Sequence, residues 1–131
     1  MMPRRAAALL LISIMLCGFG PLCKDPLKLT EADSGETIDM KIGGCLNIVL
    51  VGNPTTGYIW EESSRMSLVL KQYKRMEFVP QSKLIGAGGK CTFYYKAAAR
   101  GGTELKLVYH RPWEKSVRPL RVFNVKVIVK L

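Results

Sequence analysis

The chain has 131 residues, 48% of them hydrophobic and 23% charged, which leaves room for one domain and little else. Such a chain buries a sufficient core without needing several disulfides or a metal to fold. Twenty Lys and Arg against ten Asp and Glu give a formal net charge of +10, which suits a nucleic-acid surface, an anionic membrane or polysaccharide, an acidic protein partner, or simply a solvated exterior. Basic residues are spread along the chain, those from Lys41 to Lys130 included, without the run of five or more that marks a tail or localisation signal.

In chain order, the first element is N-terminal. Arg4 and Arg5 precede an apolar stretch from Ala6 to Leu16, and Gly18 and Gly20 follow it. This is the pattern of a cleavable signal peptide over residues 1–20, too short to serve as a stable membrane anchor. It predicts an exported domain over residues 24–131, whether secreted, periplasmic or endolysosomal. Cys17 and Cys23 both follow Leu, which argues against lipid modification at either. Export permits disulfides. Cys45 and Cys91 are both expected at strand starts; they pair if those strands are neighbours, and otherwise are two small buried thiols.

Past the signal, alternation at period two predicts strands almost throughout. Thr37–Ile42 reads as a short edge strand. Leu46, Ile48 and Leu50 then alternate with Asn47, Val49 and Val51, and Tyr58–Glu62 carries Trp60. Leu68–Tyr73 runs on toward Val79 until Pro80 stops it. Phe93 and Tyr95 share a face of Lys90–Ala97, as do Leu105, Leu107 and Tyr109 of Thr103–Tyr109. The longest inward row is Phe123, Val125, Val127, Val129 and Leu131. Seven strands in about a hundred residues predict an all-β fold, an immunoglobulin-like antiparallel β-sandwich.

In an up-and-down order, alternate connections lie at the same end. Three unusual loops would then converge, in the B–C, D–E and F–G positions: Asn53, Pro54, Thr55, Thr56, Gly57 and Tyr58; Gly86, Ala87, Gly88 and Gly89; and Arg111, Pro112 and Trp113 after His110. Pro54 fixes its own φ and biases Asn53 toward an extended conformation, while Gly57 permits positive φ, so the first loop is stiff. Its plainer reading is a tight turn. The glycines of the second permit close approach of a partner, or merely a bulged turn. Trp113 beside Pro112 and Arg111 has the composition of an interface anchor, unless it folds back over the core. Trp60 stands where such a sandwich keeps its core Trp and is read as structural. His110 is the sole histidine, with no carboxylate motif or metal-spaced cysteine cluster beside it. The sequence therefore predicts no enzyme, no cofactor, no metal and no nucleic-acid partner.

The three loops, in this order, resemble the signature loops of the chagasin-type inhibitors of cysteine peptidases, and the resemblance spans roughly Thr30 to Leu131. It implies an immunoglobulin-like monomer that inhibits papain-like cysteine peptidases, cathepsin L-like ones among them, by wedging these loops into the active-site cleft, reversibly and without being cleaved. It implies that Thr55 and Thr56 sit over the catalytic cysteine. Trp113, with Arg111 and Pro112, would pack on an aromatic surface near the catalytic histidine, and Gly86–Gly89 would meet the opposite wall. The alternative is an exported immunoglobulin-like adhesion or polyanion-binding module that uses the basic surface instead of the loops.

Overall fold

The computed structural model describes residues 23, 25–64 and 67–131; the signal-peptide prediction over 1–20 lies outside the described residues. Among the described residues eight strands run in chain order: β1 Leu27–Thr30, β2 Thr37–Lys41, β3 Cys45–Gly52, β4 Ile59–Glu62, β5 Leu70–Pro80, β6 Gly89–Ala97, β7 Gly101–His110 and β8 Arg121–Lys130. They form two four-stranded sheets, ordered β1-β3-β6-β5 and β2-β8-β7-β4. The predicted sandwich is present, with one strand more than the alternation suggested. The order is not simply up-and-down, because edge strands β1 and β2 run parallel to β3 and β8.

Alternation decides which side chains meet between the sheets. Leu46, Ile48 and Leu50 of β3 lie opposite Tyr95, Phe93 and Cys91 of β6. Leu105 and Leu107 of β7 lie opposite Val125 and Phe123 of β8. All ten are buried and belong to one core cluster, and each large apolar side chain contributes about 2 kcal/mol by leaving water. A one-residue slip of any central strand would turn its row outward, so the register is strongly specified. The predicted row on β8 ends one residue early: Val129 is buried but Leu131 is exposed, since the strand and its β7 partner stop before it. Strand β5 is an edge whose pairing with β6 shifts register twice, near Lys74, and such irregularity discourages edge-to-edge association.

The cysteine pairing differs from expectation. Cys45 bonds Cys23, with a Cα–Cα separation of 5.8 Å, and Cys91 is a free, buried thiol. The β3–β6 register explains why Cys45 and Cys91 do not pair. Cys45 lies opposite Lys96 and Cys91 opposite Leu50, so the two sit at opposite ends of the strand pair, about 17 Å apart at the rise of a strand. An odd offset also puts them on opposite faces, far outside the reach of a disulfide.

The register also fixes what lies at each end of the sandwich. Gly52, Pro80, Gly89, His110 and Arg121 mark one end, where the connections 53–58, 81–88 and 111–120 emerge. Cys45, Leu70, Ala97, Gly101 and Lys130 mark the other. The three unusual loops thus share one end, as predicted, although the strand order that brings them there is that of a two-sheet sandwich.

Candidate functional site

The loop after β3 is held by its own side chains. Asn53 is extended (φ −138°, ψ 94°) and caps a 3-10 turn over Pro54–Thr56. Its Oδ1 accepts from the Thr55 amide at 3.1 Å and from the Thr55 hydroxyl at 2.5 Å. The Thr56 hydroxyl donates to the Asn53 carbonyl at 2.7 Å. Gly57 closes the turn at φ +84°, its amide donating to the Pro54 carbonyl at 3.0 Å. Only glycine takes that conformation without strain, and here the space is also occupied, because a Cβ at Gly57 would collide with the indole of Trp113.

Side chains join the three loops. Asn53 Nδ2 donates to the Gly86 carbonyl at 3.0 Å, tying the first loop to the glycine loop. Arg111 Nε donates to the Thr56 carbonyl at 3.2 Å, tying it to the tryptophan loop. The Arg111 guanidinium lies 4.5 Å from the Tyr58 ring centroid and pairs with Glu114 at 3.2 Å. Tyr58 stacks on Tyr109 at 5.3 Å, and Tyr109 lies 5.1 Å from Trp60. The Tyr109 hydroxyl accepts from the Asn53 amide at 2.8 Å. An aromatic column thus rises from the core to the crest, with charge-assisted and cation–π contacts along its side.

All the predicted loop residues therefore sit at one end, and Asn53, Thr56, Gly57, Gly86, Arg111 and Trp113 are in direct mutual contact. Pro112 is exposed, and so is Trp113, at 66%, so the indole does not fold back over the core. Trp60 does belong to the core, 3% exposed, with its Nε1 donating to the Val51 carbonyl at 3.0 Å. Sequence reasoning passed over Leu84 and Ile85, which stand fully out in solvent beside Gly86. The clue was two consecutive aliphatics inside a turn-forming stretch. It also passed over Tyr109 as a loop support and over Arg121.

His110 bonds Glu61 at 2.8 Å on a sheet surface. Cys91 lies in the core, where burial pushes its thiol up from the ordinary value despite the nearby Arg121 charge, so it stays protonated and unreactive. Among the described residues no group of three or more His, Cys, Asp and Glu side chains is placed to hold a metal. What the end offers is shape: a stiff, exposed, partly apolar crest.

Comparison with known proteins gives this crest a context. Residues 39–127 match the family described as chagasin family peptidase inhibitor I42. The chain is 38% identical to chagasin of Trypanosoma cruzi over 92 residues, covering 66% of this chain and 82% of chagasin. It is 34% identical to amoebiasin-1 of Entamoeba histolytica over 105 residues, covering 79% of this chain and all of that one. In three dimensions it resembles the crystal structure of a cysteine protease inhibitor from Entamoeba histolytica with a TM-score of 0.70 and 28% identity, over 79% of this chain and 95% of the other. By sequence and by fold, the chain belongs to the chagasin family of peptidase inhibitors.

Proposed function

We propose that the protein inhibits papain-like cysteine peptidases, cathepsin L-like ones among them, by reversible, non-covalent occupation of the active-site cleft with loops 53–58, 81–88 and 111–120. The observation that carries this is the mutual pinning of the three loops into one wedge by Asn53 and Arg111. A wedge already ordered in the free protein loses little conformational entropy on docking, so a modest contact area suffices for tight binding. Trp113, Leu84 and Ile85 are exposed on it and supply the apolar anchors such interfaces use.

The same geometry supports a wedge that resists cleavage. A peptidase cleft holds its substrate extended, whereas Thr56 and Gly57 bond back within the 3-10 turn. The peptide presented to the nucleophile is curled and braced, so attack meets a poorly placed carbonyl. Protease–inhibitor interfaces of this kind bury about 1,600 Å² in total. Export is part of the proposal, supported by the N-terminal apolar pattern and by a disulfide that suits an oxidising compartment.

Titration into active papain and cathepsin L, followed with a fluorogenic peptide, tests the proposal. Stoichiometric and reversible loss of activity, with the inhibitor intact on a gel afterwards, is the expected result. A folded sample that leaves both enzymes active at micromolar concentration would refute it.

A further inference from the structure

Arg121, the first residue of β8, lies outside every loop motif, yet its side chain reaches four groups. Nη1 pairs with Glu31 Oε1 at 2.6 Å. Nη2 donates to the Val51 carbonyl, the group that also accepts from Trp60 Nε1. The guanidinium carbon sits 4.5 Å from the Tyr109 ring centroid and 5.2 Å from that of Trp60. Val51 is two residues before Asn53, and Tyr109 is the residue whose hydroxyl holds the Asn53 amide. Arg121 therefore grips both the strand that delivers the first loop and the ring that supports it.

We infer that Arg121 is a positioning residue for the 53–58 loop, and that Glu31, in the short 3-10 turn Glu31–Asp33 after β1, holds Arg121 in place. The chemistry favours this over a plain surface ion pair. The guanidinium is planar and presents several donors at once, so one group bonds a carboxylate and a carbonyl while stacking on aromatic faces. Both partners are about one-third exposed, at 34% and 38%, so the pair itself adds little to global stability. Its effect is directional: it fixes where β3 ends and how Tyr109 is tilted, and hence the seat of Asn53. A loop whose competent geometry is only fractionally populated binds more weakly by that fraction. On this account Arg121 sets how much of the free protein is ready to dock, without touching the peptidase.

The inference rests on the inhibitory reading only for its consequence, and a readout in the free protein separates the two. Native-state hydrogen exchange at Asn53, Thr55, Thr56 and Gly57, compared with core amides of β7 and β8, reports the loop directly. In Arg121→Gln the loop amides should exchange at least about tenfold faster while core amides keep their rates, and association with papain should slow by a similar factor. Arg121→Lys, which keeps the charge but loses the fork, should recover part of both effects, and Glu31→Gln should reproduce a smaller version with Arg121 present. Unchanged loop exchange in Arg121→Gln overturns the inference. So does a uniform acceleration of loop and core amides, which would make Arg121 a general stabiliser. If the parent protein fails to inhibit papain, the functional reading falls, while the exchange arm still decides the role of Arg121.

Discussion

The two ends of the sandwich are closed by different means. At the end away from the loops, neighbouring connections are joined through the backbone: Gly43 and Gly44 exchange hydrogen bonds with Ala97, and the Ala98 amide donates to the Val69 carbonyl. The Cys23–Cys45 disulfide adds a covalent tie there. At the loop end, connections of different length and direction meet through side chains, with Asn53 and Arg111 as the links and Trp113 laid over Gly57. A backbone ladder needs chains lying side by side, which would flatten the end. Side-chain links fix connections that do not lie side by side. Backbone and covalent ties are thus concentrated at one pole and the proposed recognition surface at the other, and each can be disturbed by itself.

The largest expected effect is at the closed pole. Cys23→Ser removes a tie with a sequence separation of 22 residues and should cost about 3 kcal/mol of stability. Denaturant midpoint and papain inhibition constant measured together check this: the midpoint should fall while inhibition by the folded fraction stays put. A parallel loss of inhibition would mean that the poles are coupled. The mirror experiment is Trp113→Ala, which should weaken inhibition by about 2 kcal/mol, roughly thirtyfold, with little change in melting temperature because the indole is already in water. A lower melting temperature with unchanged inhibition would return Trp113 to the fold.

The smallest effect is alkaline. Burial first, then the charge of Glu62 and the hydrogen bond to it, raises the Tyr95 phenol far above its ordinary value of 10.0. Above that pH the unfolded chain loses a proton that the native state keeps. The stabilisation is therefore complete below pH 10 and declines as pH rises, by at most about 1.4 kcal/mol per unit from this group. Thermal unfolding at pH 9, 10 and 11 should show the decline, and Tyr95→Phe should flatten it. An equally steep decline in that variant would assign the effect elsewhere.

Much of this was legible in the sequence because alternation is a direct record of facing. The rows on β3, β6 and β7, and that on β8 as far as Val129, were readable residue by residue, and so was the burial of Trp60. The clustering of the three loops could be read from topology together with their composition. Strand β1 could not, since Leu27–Thr30 is four residues long and buries only Leu29, too few for a period to declare itself. The Cys23–Cys45 bond could not be read, and the pairing of Cys45 with Cys91 stayed open, because pairing depends on register, which composition does not carry. Arg121 was invisible for a related reason: an arginine opening a strand looks like solvated charge until Val51, Glu31 and Tyr109 are brought around it from three other parts of the chain.

The disulfide has one more consequence. Cys23 is fastened to the start of β3, and β8 runs out at Lys130 beside the turn after β2, where the Ile42 amide meets its carbonyl. Both ways into the domain therefore open on the pole opposite the wedge. A bead, a fluorophore or a fused partner attached ahead of Cys23 or behind Leu131 becomes a handle, and the molecule is presented blade outward whichever end is gripped.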